Sequence, residues 1–164
     1  MPEAPFDVRV DRAEYRYPGT SRDVLRGLSL TVPQGQRVAV LGRSGAGKST
    51  LASLVRGDIR PDAGGVTLGG SPTADLGDEA AKWIGVIQQR TYLFNMTLRD
   101  NLRIGREDAT DDEVWDALGR VGLRSMAERL PNGLDTLVDE AGLRFSGGER
   151  HRVALARVLL QDVP

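Results

Sequence analysis

The chain contains no cysteine, and this absence excludes a disulfide framework and any thiol chemistry. It also lacks an excess of one charge, because 22 Lys and Arg residues stand against 23 Asp and Glu residues and the net charge is −1. Proteins that grip a nucleic-acid backbone usually carry a basic surplus, so we expect no nucleic-acid partner. His151 is the single histidine, which argues against a histidine-based metal site.

Long apolar runs are absent as well. No run approaches the roughly 20 residues that span a bilayer, and residues 1–5 lack the charged and apolar regions of a signal peptide. The 164 residues, 40% hydrophobic and 27% charged, have the composition of one globular domain with a sizeable core. We therefore expect a cytosolic domain, which must dock onto another segment or subunit if it works at a membrane.

The first half of the chain has the pattern of a mixed α/β fold. Alternating apolar residues predict edge β structure over residues 8–17 and a half-buried strand over residues 28–32. Residues 38–41 are apolar at every position, which predicts a central parallel strand, and residues 84–87 predict another buried strand. A helix is predicted from Lys48 to about residue 55.

The second half has helical periodicity. Helices are predicted over residues 97–102, 111–121 and about 148–160, and the stretch from Thr110 to Glu113 is typical of a capping box. Asp162 follows residues with helical spacing, so we expect it at a helix end and not at the end of a buried strand.

A glycine-rich loop follows the predicted central strand. Residues 42–49 fit the pattern G-x-x-x-x-G-K-[ST] and open a helix. Glycines let successive backbone N–H groups turn toward a phosphate chain, at the positive end of the helix dipole. Lys48 would contact the terminal phosphates and the Ser49 hydroxyl would coordinate Mg²⁺. The predicted nucleotide-binding residues of this region are Gly42, Ser44, Gly45, Ala46, Gly47, Lys48, Ser49 and Thr50.

A second candidate anion site opens the last predicted helix. Residues 145–149 read Phe-Ser-Gly-Gly-Glu, which resembles the signature Leu-Ser-Gly-Gly-Gln of the ABC ATPases, with Phe145 replacing Leu and Glu149 replacing Gln. The resemblance implies that Ser146, Gly147 and Gly148 contact ATP bound by the opposite subunit. The partner would be a second ATP-binding domain in a head-to-tail homo- or heterodimer.

Two further positions match this family. Tyr17 resembles the aromatic residue that stacks on adenine, with simple packing in an edge strand as the alternative. Gln89 resembles the glutamine that touches Mg²⁺ or the attacking water, and Gln88 is its rival. The resemblance thus implies catalytic roles for Lys48 and Gln89, and contacts of Ser49 and Gln89 with nucleotide-bound Mg²⁺.

Residues 133–142 resemble the exporter-specific loop before the signature, where Glu140 would contact a transmembrane domain, fused or separate. Asp139 stands where the family usually has glycine. A weaker similarity around residues 89–102 points to thiol-reductant exporters needed for cytochrome bd assembly. The resemblance implies a location at the cytoplasmic face of the cell membrane.

The implied fold is a P-loop NTPase core of the ABC ATPase type, with an N-terminal antiparallel β subdomain and an inserted α-helical subdomain. We assign residues 1–88 to the core with its β subdomain and residues 89–164 to the helical subdomain. The family continues with a Walker B strand, a D-loop and a switch histidine, so we expect the C-terminal part of the fold to be absent. Residues 38–41 would then have an unpaired edge.

These observations predict an ATP-hydrolysing motor domain of an ABC exporter, which couples MgATP binding and hydrolysis to transport in the full-length protein. We expect the 164-residue chain alone to be inactive. The alternative is a nucleotide-binding module without turnover. DNA-repair and chromosome ATPases with an ABC-type head need long heptad-patterned arms between the two motifs, and the sequence contains none.

Overall fold

The computed structural model describes residues 1–89, 91–138 and 145–163. The chain divides into two compact units, Met1–Ile84 and Gly85–Val163. The first unit contains strands β1 (Val8–Arg16), β2 (Asp23–Val32), β3 (Ala63–Leu68) and β4 (Ser71–Pro72), helix α1 (Lys48–Arg56), and the 3₁₀ segments Thr73–Asp75 and Gly77–Lys82. The second contains helices α2 (Leu98–Arg103), α3 (Asp111–Arg120), α4 (Arg124–Glu128) and α5 (Gly147–Gln161), and the 3₁₀ segment Gly133–Asp135.

The four strands of the first unit form one antiparallel sheet in the order β2-β1-β3-β4. Val10 of β1 pairs with Leu30 of β2 on one side and with Val66 of β3 on the other. The prediction of β1 as edge structure is therefore wrong. Alternation shows which face of a strand is buried, but it carries no information about whether both edges are paired.

Helix α1 packs on this sheet and confirms the predicted helix. Its Thr50, Leu51 and Leu54 are buried, and the two leucines join a core formed with sheet residues such as Val10 and Val66. The helix ends at Gly57, whose φ of 82° lies in the left-handed region. A Cβ there would lie 2.2 Å from the Thr73 carbonyl oxygen, so only glycine fits this helix end.

Two predicted strands are not formed. Residues 38–41 have no strand conformation, and the exposed fractions of Val38, Val40 and Leu41 are 48%, 47% and 90%. Residues 84–87 are also not a strand. The strands among the described residues belong to the antiparallel sheet, and none of them pairs with either segment. A parallel strand is stabilised by its neighbours, which local apolarity does not supply.

The second unit is helical, as predicted. Helices α2, α3 and α5 surround one core, in which Leu98, Leu102, Val114, Leu118 and Val153 are fully buried. The predicted capping box at Thr110 and Glu113 is formed, and Asp162 lies at the C-terminal cap of α5, which confirms both expectations. The backbone caps and the apolar stripe of each helix are local features, and for this reason they were readable from the sequence.

A polar network lies inside this helical core. The Asn101 side chain is fully buried; its amide donates to the carbonyl oxygens of Phe94 at 2.9 Å and Thr97 at 3.0 Å. The Arg157 guanidinium donates to the backbone oxygen and the side-chain oxygen of Asn101, both at 2.6 Å, and to the Tyr92 carbonyl at 2.8 Å. Burial lowers the pKa of Arg157. The network joins α5 to α2 and to the segment that follows Gln89.

The capping box of α3 contains a carboxylate, so its contribution to stability depends on pH. The pKa of Glu113 is lowered from 4.5 to about 2, chiefly by the Thr110 backbone N–H, then by Arg106 and the Thr110 hydroxyl. Because the folded-state pKa is the lower one, this stabilisation is present above about pH 4.5 and is lost as the pH falls toward 2. Glu113→Gln keeps an acceptor oxygen but does not titrate.

We expect the thermal midpoint of the wild type to fall faster than that of Glu113→Gln between pH 6 and pH 3. Thermal unfolding of both proteins across this range, followed by circular dichroism, measures the difference. A constant gap between the two midpoints would show that the carboxylate does not titrate as the geometry requires.

Candidate nucleotide-binding site

The glycine-rich loop enters α1 through left-handed backbone. Gly45 has a φ of 78°, and Gly47, the N-cap of α1, has a φ of 91°. A Cβ on Gly47 would also lie 3.0 Å from Leu25 and 3.1 Å from Val24, so the left-handed conformation favours glycine here and the neighbouring side chains leave little room for a Cβ. Gly45 has no heavy atom within 4 Å of a built Cβ, and conformation alone requires it.

The side chain of Lys48 folds back over this loop. Its Nζ donates to the carbonyl oxygens of Gly42 at 2.7 Å and Arg43 at 2.8 Å. In the described part of the chain, no carboxylate pairs with Lys48. The ammonium is therefore held above the loop by neutral acceptors that an anion could replace.

This arrangement fits a polyphosphate. The loop offers a cation at Lys48, the first backbone N–H groups of α1 and the exposed side chain of Ser49. Mg²⁺ takes few protein ligands and many water or phosphate oxygens, so one hydroxyl is a sufficient protein contribution. Lys48 and the loop N–H groups would hold the phosphates, and Ser49 would hold the metal ion.

Tyr17 lies beside the first turn of α1. Strand β1 ends at Arg16, so Tyr17 lies outside the strand, and 43% of its surface is exposed. Its hydroxyl is 3.1 Å from the hydroxyl of Thr50, and its ring meets that of Tyr15 edge-on at 5.0 Å between centroids. The structure thus brings Tyr17 together with the helix turn that carries Lys48 and Ser49.

Gln89 lies near the signature. Both residues of the glutamine pair are exposed, but they line different depressions. Gln89 lines a depression of about 270 Å³ together with Gly147 and His151. Gln88 lines a separate cleft with Tyr92. Of the two glutamines, Gln89 is the one that shares a surface with the start of α5.

The signature forms the N-terminus of α5. The Ser146 hydroxyl accepts from the Glu149 N–H at 3.2 Å, and the Glu149 carboxylate accepts from the Ser146 N–H at 2.7 Å. The latter bond is the largest cause of the lowered pKa of Glu149. Gly147 and Gly148 are exposed, whereas Phe145 is buried in the core of the second unit. The replacement of leucine by Phe145 therefore keeps a buried apolar residue.

The exporter-loop residues Asp139 and Glu140 lie outside the described residues. The segment just before them is anchored: the Val138 N–H donates to the Met96 carbonyl at 2.9 Å, and Leu137 forms a β-bridge with Thr97. This short pairing fixes the start of the loop against the residues that precede α2.

The sequence did not indicate an open cleft in the second unit. The cleft has a volume of about 310 Å³ and is lined by Tyr92, Phe94, Ile104 and Gln161, among others. Tyr92, Phe94 and Ile104 are exposed by 55%, 43% and 50%. The Thr91 hydroxyl and the Gln161 side-chain oxygen are buried there and make no hydrogen bond to any described residue. In the sequence, the only indication of this cleft was that the aromatic residues Tyr92 and Phe94 lie just before a predicted helix.

Comparison with known proteins identifies the family. A family model described as ABC transporter matches residues 25–164. The chain belongs to the ABC transporter family. It is 48% identical over 144 residues to the glutathione/L-cysteine transport system ATP-binding/permease protein CydD of Bacillus subtilis, covering 88% of the chain and 25% of that protein. It is 40% identical over 164 residues to the mitochondrial iron-sulfur clusters transporter ATM1 of Saccharomyces cerevisiae, covering 99% and 24%.

A solved structure gives the same family. The structure of a bacterial Atm1-family ABC exporter with ATP bound matches with a TM-score of 0.89 and 38% identity over 97% of this chain and 28% of that one. This match confirms the predicted α/β fold of the ABC ATPase type. This chain spans about a quarter of the length of these relatives. Among its described residues, no helix is both long and apolar enough to cross a membrane.

The capping box of the signature is expected to stabilise the fold. Ser146→Ala removes the side-chain acceptor for the Glu149 N–H, so we expect a loss of about 1 kcal/mol in the free energy of unfolding. Ser125→Ala on α4 is the matched control, because Ser125 is exposed inside a helix and makes no side-chain hydrogen bond in the described structure. Urea unfolding of both variants measures the difference. Equal free energies for the two variants would contradict the capping role.

Proposed function

We propose that this chain is the ATP-binding motor domain of an ABC exporter. In the full-length protein it would bind MgATP on the loop of residues 42–49 and hydrolyse it in a head-to-tail pair of such domains, at the cytoplasmic face of the membrane. The observation that carries the proposal is the Lys48 ammonium, held over the loop at the start of α1 by two neutral carbonyl oxygens.

Different residues contact the phosphates, the metal ion and the base of the nucleotide. Lys48 exchanges its carbonyl partners for phosphate oxygens, and Ser49 contributes its hydroxyl to Mg²⁺, which neutralises charge on the phosphates. Tyr17 stacks on adenine. Gln89 monitors the terminal phosphate and the metal ion, and Ser146, Gly147 and Gly148 act on the nucleotide of the opposite domain. Hydrolysis is then mainly electrostatic stabilisation and positioning of water.

The partner is a transmembrane domain, and the cleft around Tyr92, Phe94 and Ile104 is its proposed docking surface in the second unit. The name of the Bacillus relative joins ATP-binding and permease parts in one protein, of which this chain covers 25%. A short segment of the transmembrane domain that carries both polar and apolar residues would cover the exposed side chains of the cleft. It would also give a donor to the Gln161 oxygen and a partner to the Thr91 hydroxyl, which have none in the described structure.

The first test concerns Lys48. Lys48→Ala removes the cation, so we expect MgATP to bind at least about tenfold more weakly and phosphate release by the full-length protein to be lost. Lys82→Ala is the matched control, because Lys82 is exposed and pairs with Glu79 at 2.6 Å. Calorimetric titration and a phosphate-release assay are the measurements.

The outcomes separate the alternatives. ATP binding by Lys48→Ala equal to that of the wild type would refute the site. Tight ATP binding by the wild-type full-length protein without phosphate release would favour the binding module without turnover.

The second test concerns the cleft. Ile104→Asp places a charge among exposed apolar residues, so we expect the full-length protein to lose most of its ATPase activity while its affinity for MgATP stays unchanged. Ser125→Asp, on the exposed side of α4, is the control and should keep both properties. Unchanged ATPase activity of Ile104→Asp would remove the cleft from the proposed interface.

A further inference from the structure

We propose that Thr50 is a positioning residue for the adenine base, and that its hydroxyl holds the Tyr17 ring in the orientation that stacking requires. This inference rests on the proposed ATP-binding function and goes beyond it. It gives Thr50 a role toward the base, in addition to the phosphate contact that its place beside Ser49 suggests.

The hydroxyl of Thr50 is committed to Tyr17. Thr50 is only 3% exposed, and its Oγ1 lies 3.1 Å from the Tyr17 hydroxyl oxygen. A buried hydroxyl needs a partner, and threonine in a helix often takes the carbonyl four residues earlier. Here the hydrogen bond runs to a residue 33 positions away, outside the helix. This contact therefore serves the position of Tyr17 and not the stability of α1 alone.

Tyr17 is held at three points, one in its backbone and two in its side chain. The backbone carbonyl oxygen of Tyr17 accepts from the Thr20 N–H at 3.1 Å and from the Thr20 hydroxyl at 2.8 Å. The Tyr15 ring packs edge-on at an interplanar angle of 89°. The hydroxyl is held by Thr50, and 43% of Tyr17 remains exposed. The side chain is thus restrained while part of its surface stays available to a ligand.

The hydrogen bond links two parts of one binding site. Thr50 lies in the same helix turn as Lys48 and Ser49, so the ring that would stack on the base is bonded to the turn that would hold the phosphates. Fixing a side chain before the ligand arrives reduces the entropy lost on binding. If the Tyr17 hydroxyl donates, the Thr50 hydroxyl keeps its own hydrogen for another acceptor, such as a phosphate oxygen.

The test compares a ligand that has a base with one that has none. Titration calorimetry of the full-length protein with MgATP and with magnesium inorganic triphosphate would be done for the wild type and for Thr50→Val, Thr50→Ser, Tyr17→Phe and the double variant Thr50→Val/Tyr17→Phe. We expect Thr50→Val and Tyr17→Phe each to weaken MgATP about threefold, the magnitude of one neutral hydrogen bond. The double variant should bind no more weakly than either single variant, because both remove the same bond.

Two controls separate positioning from folding. Thr50→Ser keeps the hydroxyl and should restore the affinity for MgATP. Thr31→Val makes the same threonine-to-valine change at an exposed position of β2 and should leave the affinity unchanged. The ratio of MgATP affinity to triphosphate affinity should fall only in the variants that lose the bond. Thermal unfolding monitors the fold; if Thr50→Val does not fold, Tyr17→Phe carries the test, since it removes one hydroxyl from a partly exposed side chain.

Three results would overturn the inference. The first is an equal weakening of MgATP binding and triphosphate binding by Thr50→Val, which would assign Thr50 to the phosphates alone. The second is an unchanged affinity of Tyr17→Phe for MgATP. The third is a loss of MgATP affinity in the double variant that equals the sum of the two single losses. Failure of the wild-type full-length protein to bind either ligand would instead remove the proposed function, and the inference with it. Failure of the inference alone leaves wild-type binding of both ligands intact.

Discussion

The two hydrogen bonds from the Lys48 ammonium to the carbonyl oxygens of Gly42 and Arg43 close the phosphate loop, and the candidate site depends on this closure. Left-handed backbone at Gly45 and Gly47 produces the same closed shape from within the chain. In the proposed complex, phosphate oxygens would replace these neutral acceptors of the ammonium, and hydrogen bonds to charged acceptors are roughly twice as strong. Such an exchange would favour the bound state.

The second unit depends on a different constraint, the pairing of the buried Asn101 with the partly buried Arg157. Their hydrogen bonds of 2.6 Å join α5, which begins with the signature, to α2. Arg157 also donates to the Tyr92 carbonyl at 2.8 Å, and Asn101 donates to the Phe94 carbonyl at 2.9 Å. The acceptors of the guanidinium are carbonyl oxygens, so its charge is balanced by dipoles and its pKa is lowered by burial. Residues that line the cleft and Arg157 of α5 thus share one set of hydrogen bonds.

The sequence predicted the parts of this fold that are determined locally. Helices α1, α3 and α5 have caps and apolar stripes within a few residues of each other, and the phosphate loop and signature are contiguous motifs. The strands predicted over residues 38–41 and 84–87 failed, as did the edge position of β1, because pairing depends on neighbours that are distant in the chain. The bonds from Tyr17 to Thr50 and from Arg157 to Asn101 span 33 and 56 residues and have no signature in residue spacing. Asn101 among apolar helix positions signals a buried network, but not its partner.

Glu149 shows how a departure from the family pattern keeps its structural role. Its carboxylate accepts from the N–H of Ser146, and a glutamine amide oxygen at the same place could accept the same bond. The lowered pKa of Glu149 means that the side chain is charged at neutral pH, where it complements the positive end of the α5 dipole. Because the carboxylate turns back onto its own helix, its charge is partly compensated by the amide that it caps. The replacement of Gln by Glu therefore preserves the geometry of the signature while it adds a negative charge at the start of α5.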